Sequence, residues 1–222
     1  MYINPVDFQE YANSFGVDEH EFKDIMARIF NQNISALAFF EGYISEYFLE
    51  KLVVKVPGVS GCTKPGDNNT EVKGDLLPVY KGVPVRIEVK NVKRKTNTNR
   101  QPKQITNLEE SYWLGNFCTR AGRSRNVTFS DGSTVHTYNT KRGQYDVIAV
   151  NVFRLTGVNQ FAYCLETDLP STTISSGSTL TPLQCNETLR EDMWIRWPVA
   201  APWTDSLEEI LERAHARSTI TV

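Results

Sequence analysis

The sequence predicts a mixed α/β protein, an α/β/α sandwich built around a mixed central β-sheet. Three observations carry that expectation. Apolar residues recur at helical spacing near both ends of the chain, a hairpin whose second strand alternates apolar and polar residues over 85–90 lies between about residues 71 and 92, and YDVIAVNVF (145–153) is a near-continuous apolar run of the kind found in a strand covered on both faces. The 222 residues, 40% apolar and 11% aromatic, suffice for one domain with a substantial core and argue against wholesale disorder.

In chain order, residues 5–14 and 18–31 read as helices, the second with Phe22, Ile25, Met26, Ile29 and Phe30 on one buried stripe. Asn33 or Ser35 is placed to cap a longer helix reaching about Leu52, which carries Glu46 and Glu50 four residues apart. Residues 57–70 are turn-rich. EVKGDLLPVY, a Lys81-Gly82 turn and VPVRIEVKNV form the hairpin, with Pro78 and Pro84 making its tip irregular. A polar loop spans 96–104, and a helix bearing Ile105, Leu108 and Tyr112 is expected after it. Residues 115–144 read as a long polar segment with a short hairpin around Asp131-Gly132. A second strand, QFAYCLE, follows the 145–153 run, then a Ser/Thr-rich loop over 170–182, a short strand at 193–199, and a final helix capped by Ser206. Trp194, Trp197 and Trp203 are assigned to packing.

Several function classes are excluded. No run approaches the ~18–20 apolar residues of a membrane span, and MYINPVDFQE has neither a basic nor an apolar leader region, so a cytoplasmic protein without a membrane is expected. The cysteines at 62, 118, 164 and 185 lack zinc spacing and read as reduced thiols. His20, His136 and His215 stand in unrelated contexts that suggest no nucleophile chemistry.

The net charge of −2 hides a strong asymmetry: residues 81–142 hold 13 Lys/Arg against 4 Asp/Glu, while the remainder holds 11 against 22. Such segregation points to a polyanionic partner, unless the cations pair with acidic residues elsewhere in the chain.

The hairpin concentrates the chemistry. With Lys81-Gly82 as a two-residue turn, Tyr80 faces Val83, and Asp75 comes opposite Glu88. Lys90, two residues further, emerges on the same face. Two carboxylates and an ammonium so placed suit a divalent cation such as Mg²⁺ and a phosphodiester.

GD(75), twelve intervening residues, then E(88)VK(90) resembles the PD-(D/E)xK nuclease superfamily, which includes most type II restriction endonucleases. The likeness covers roughly residues 33–166 and implies a restriction-endonuclease-like αβββαβ core. It implies that Asp75, Glu88 and the carbonyl of Val89 hold Mg²⁺ (Mn²⁺ substituting), that Lys90 acts with the nucleophilic water, and that a helix glutamate joins them: Glu46, with Glu41 and Glu50 as alternatives. The family's proline before the aspartate is replaced by Gly74, and no Gln-x-x-x-Tyr element follows Lys90, which favours an endonuclease branch.

The implied activity is hydrolysis of double-stranded DNA by a homodimeric, sequence-specific restriction enzyme. Alternatives are a structure-specific repair or phage nuclease, an RNA-cutting toxin, or a non-catalytic nucleic-acid-binding module. Lys93, Arg94, Lys95, Arg100, Lys103, Arg123 and Arg125 are the expected DNA contacts, with loops and a helix over 96–142 touching the duplex and a C-terminal strand and helix at 193–222 completing the single domain.

Overall fold

In a computed structural model, the structure is described for residues 16–65, 73–93, 102–106, 110–121, 124–174 and 179–220. The expected helix at 5–14 lies outside these residues. The chain divides into two compact units, Met1–Tyr43 and Ile44–Val222.

In the first unit, α1 (Glu19–Gln32) starts at a capping box: the Asp18 carboxylate accepts the Glu21 N–H at 2.8 Å, and the Glu21 carboxylate accepts the Asp18 N–H at 3.0 Å. Ile25 and Ile29 stay 43% and 39% exposed, so the stripe expected to be buried is not closed over. Periodicity marks an apolar stripe, not what covers it. Helix α2 (Ile34–Val53) begins where Asn33 Oδ1 accepts the Ala36 N–H at 3.0 Å, one of the two caps expected there.

In the second unit, β1 (Val59–Thr63), β2 (Leu77–Tyr80) and β3 (Val83–Pro84) form an antiparallel meander. β1 lies inside a stretch read from sequence as turns; its Gly61 and Ser60 hid a strand that pairing with β2 selects. β4 (Ile87–Asn91) joins the meander through a Leu76–Ile87 bridge and runs parallel to β9 (Val147–Asn151), which is antiparallel to β10 (Phe161–Leu165). The central sheet is therefore mixed, in the order β1-β2-β4-β9-β10, as the sequence predicts. The short helix α3 (Phe153–Thr156) links β9 to β10 and ends at Gly157 with φ 74°.

Each face of this sheet has its own core. On one, Val85, Ile87, Val89, Val147, Ala149, Phe161 and Tyr163 pack with Leu49 and Val53 of α2 and with Ile210, Leu211 and Ala214 of the C-terminal helix. On the other, Ile148, Val150, Ala162 and Cys164 pack with Leu155 of α3 and with Phe117, Met193 and Ile195. Residues alternating along β9 thus enter two cores, which is why its sequence is continuously apolar.

The expected helix after residue 104 is not formed. β5 (Lys103–Thr106) and β6 (Ser111–Cys118) are strands, and β6 pairs along six residues with β11 (Asp192–Trp197). The Ile105/Tyr112 spacing satisfied a helical reading, but SYWLGNFC is rich in residues that suit a pleated surface, and the distant β11 supplies the ladder. Gly115 is required at the crossing: a Cβ there would lie 2.7 Å from Val92 Cγ1 and 3.0 Å from Leu155 Cδ2. Trp197 and Trp203 pack against the second core, whereas Trp194 is 43% exposed.

The expected short hairpin exists as β7 (Arg125–Thr128) and β8 (Thr134–Thr137). A short helix α4 (Pro182–Asn186), unmarked in the sequence reading, follows a Thr181 cap, and α5 (Leu207–Ile220) starts where Ser206 Oγ accepts the Glu209 N–H at 3.2 Å. All four cysteines are free thiols. No described helix is long and apolar enough to cross a membrane.

Candidate active site

The hairpin register follows from its turn. Lys81 (φ 48°) and Gly82 (φ 82°) both adopt the left-handed backbone that a two-residue hairpin turn demands. Tyr80 pairs with Val83, Val79 with Pro84, and Leu76 with Ile87, the register the sequence reading assigned. At Asp75 the ladder leaves that register, and the expected pairing of Asp75 opposite Glu88 is not among the pairs formed. The N–H groups of Asp75 and Leu76 both donate to the Ile87 carbonyl, at 2.8 and 3.1 Å. The Asp75 carboxylate then accepts the Val89 N–H at 2.7 Å. The acidic group is thereby pinned to the backbone of the strand that bears Glu88 and Lys90.

Gly74 makes this geometry accessible. Its φ of 99° is closed to proline, whose ring holds φ near about −65°, and a Cβ would meet the Ile87 carbonyl oxygen at 3.2 Å. Glycine at this position is thus a requirement of this backbone.

Electrostatics tie the group together. Lys90 Nζ donates to Glu88 Oε1 at 2.5 Å, with the two side chains 18% and 11% exposed. Burial, then the neighbouring Glu88 carboxylate, pushes the Asp75 carboxyl up to about 7 against the opposing pull of Lys90 and the Val89 N–H; Glu46 adds a smaller upward push. Burial would lower the Lys90 ammonium, but Glu88 and Asp75 outweigh it and hold the group above its ordinary range.

Of the helix glutamates, Glu46 is the one whose charge bears on Asp75. It is paired with Lys64 at 2.5 Å. Glu50 sits by Cys62 instead, where burial and then the Glu50 charge push the thiol up to about 11. Glu41 belongs to the first compact unit.

Several residues absent from the sequence reading complete the site. Tyr145 is buried beside it: burial, then the Glu88 charge, raises its hydroxyl, while Lys90 and Arg125 oppose. Buried Ser45, next to Glu46, donates to Asn91 Oδ1 at 2.6 Å and accepts from Asn151 Nδ2 at 2.8 Å. Asn151 also reaches Asn159 at 2.9 Å. This network ties the helix to the end of the Glu88–Lys90 strand. Tyr145 was hidden as the first letter of an apolar run, and Ser45 as a small polar residue in a helix; nothing in their spacing announces a role.

The basic residues divide. Lys93 forms an ion pair with Asp192, and Arg120 pairs with Glu191 at 2.6 Å. Arg142 holds a loop by donating to the carbonyls of Glu166 and Leu169. Part of the positive charge counted in the sequence is therefore spent inside the fold. Lys103 is exposed, with Nζ 5.9 Å from the Trp194 ring centroid. Arg125 donates to Gln144, the neighbour of Tyr145. Arg94, Lys95, Arg100 and Arg123 lie outside the described residues. Cys118, Glu191 and Asp192 bring ligand atoms within 4.8 Å of one another, but both carboxylates already face the cations just named.

No known family model matches the chain, and comparison with the curated proteins finds no match. Among solved structures, the bacterial homing endonuclease I-Ssp6803I is similar over 69% of this chain and 88% of its own, at 14% identity and a TM-score of 0.36. That likeness is too slight to set the fold or the function.

Proposed function

We propose that the chain is a Mg²⁺-dependent endonuclease of the PD-(D/E)xK kind that cuts double-stranded DNA. The observation that carries this reading is the convergence of Asp75, Glu88 and Lys90, with the Asp75 carboxyl pushed up to about 7 by burial and by the second carboxylate beside it. Acidic groups held together against their repulsion suit a divalent cation. The carboxylates of Asp75, Glu88 and Glu46 and the carbonyl of Val89 form an all-oxygen, hard donor set that fits Mg²⁺, and Mn²⁺ in its place.

When bound, such a cation supplies Lewis-acid polarisation of a phosphate oxygen and acidifies a coordinated water. The chain's own residues do the rest. The Asp75–Val89 bond holds one carboxylate in place before substrate arrives. Lys90, kept charged by Glu88 and Asp75, orients a water and neutralises charge gathering on the phosphoryl oxygens. The Ser45–Asn91–Asn151 network positions the helix that presents Glu46.

The reading extends to a cytoplasmic, sequence-specific restriction enzyme acting as a homodimer, one site per DNA strand. Exposed Tyr47, Phe48, Leu52 and Val54 on α2 and just beyond it support a partner surface.

Incubation with supercoiled plasmid tests the proposal. The protein nicks or linearises plasmid with Mg²⁺ and not with EDTA, and Asp75→Ala and Lys90→Ala slow cutting by about 100-fold or more. Lys90→Ala keeps metal-free duplex binding. Discrete bands mark a sequence-specific enzyme and a smear an unspecific one. Undiminished cutting by Asp75→Ala overturns the assignment.

A further inference from the structure

The β7–β8 ribbon has two unlike faces. On the inner one, Val127 and Phe129 are buried with Leu180 and Cys185, and Val135 packs against them, which fixes the ribbon to the body of the protein. On the outer one, Asn126 pairs with His136 and Thr128 with Thr134, and all four are exposed. Their side chains are ordered across the strands: His136 Nδ1 lies 3.0 Å from Asn126 Oδ1, and the two threonine hydroxyls are 3.0 Å apart. No apolar residue and no carboxylate stands among these four.

The base of the ribbon adjoins the candidate active site. Arg125, its first residue, donates to Gln144 and acts electrostatically on Tyr145, which in turn feels Glu88, Lys90 and Asp75. Lys141 Nζ donates to the Thr128 carbonyl at 2.6 Å and braces the strand. Residues 119–142 carry five Lys/Arg against one acidic residue, Asp131, whose carboxylate is held at the turn by the Ser133 N–H at 2.9 Å. Glu191 and Glu187 face Arg120 and Lys141, but Arg125 bonds a neutral amide.

We infer that the β7–β8 ribbon reads the duplex, its outer face seated in the DNA major groove with Asn126, His136, Thr128 and Thr134 turned to base edges. This deepens the endonuclease reading and rests on it. Four residues per strand at about 3.4 Å each make a ribbon about 14 Å long, its two strands about 4.8 Å apart, and the major groove, about 12 Å wide, admits a two-stranded ribbon. The face carries the required chemistry: an amide with donor and acceptor side by side suits adenine, and threonine methyls suit the thymine methyl. Arg125, bonded to a neutral amide, keeps its positive charge at the base of the ribbon, where it suits a polyanion.

The test uses the full chain and a pool of plasmids carrying a randomised insert, digested with Mg²⁺, followed by sequencing of the cut ends. The wild-type protein gives ends with defined base preferences. Asn126→Ala and His136→Ala each flatten the preference at one or two positions by about 10-fold or more, while Mn²⁺ binding measured by calorimetry and the melting temperature stay unchanged. Variants that keep the wild-type preferences overturn the inference, as does a wild-type protein that cuts with no preference. If the wild-type protein cuts nothing, the endonuclease reading fails separately. The ribbon is then judged by metal-free selection of bound duplexes from the same pool, where identical enrichment by wild type and variants overturns it.

Discussion

Asp75→Asn separates the charge of the site from its shape. The amide oxygen keeps an acceptor for the Val89 N–H, which the carboxylate takes at 2.7 Å, while the negative charge beside Glu88 is removed. In the metal-free protein the Asp75 carboxyl is raised from 3.8 to about 7, so the folded state binds its proton more tightly than the unfolded chain does. This group therefore does not penalise the fold below the unfolded value. It becomes progressively destabilising as pH rises from 3.8 toward about 7, and the penalty is complete above that. Three units at about 1.4 kcal/mol each give a ceiling of about 4 kcal/mol, which partial solvent contact of the carboxyl reduces. Urea denaturation in EDTA at pH 4 and pH 8 measures it. Relative to wild type, Asp75→Asn gains about 2–4 kcal/mol more at pH 8 than at pH 4, and it loses Mg²⁺-dependent cutting at both. A difference below about 0.5 kcal/mol between the two pH values refutes the claim that burial and Glu88 strain this carboxylate.

Gly74→Pro, which installs the proline of the PD-(D/E)xK pattern, weakens Mn²⁺ binding by calorimetry about 10-fold or more, because φ 99° is closed to it; unchanged binding refutes the need for this backbone conformation. Gly115→Ala costs about 1–3 kcal/mol in urea denaturation, since its methyl meets the stiff Val92 side chain at 2.7 Å. Ser45→Ala leaves Asn91 and Asn151 each short of a buried partner and costs about 1–3 kcal/mol; its cutting rate falls further than that of Ser60→Ala, an exposed serine on β1.

Local chemistry was legible wherever a residue's role is set by its neighbours in the chain. Lys81-Gly82 determined a two-residue turn, the turn determined the pairing of Tyr80 with Val83, and alternation carried that register to Leu76 and Ile87. Asn33 and Ser206 capped helices where their positions suggested, and the unbroken apolar run at 145–153 encoded a strand between two cores. Where two patterns fit one stretch, sequence failed: Ile105 and Tyr112 lie on one face of a helix or one face of a ribbon, and only β11, some eighty residues away, decides for the ribbon.

The sequence by itself thus determined the mixed α/β class and the acidic hairpin, because turn geometry and side-chain period are short-range properties. Tertiary structure alone decided that Tyr145 and Ser45 belong beside the acidic cluster, and that Lys93 and Arg120 answer internal carboxylates. Electrostatic and hydrogen-bonding partners are chosen by distance in space, and a one-dimensional pattern does not contain that distance.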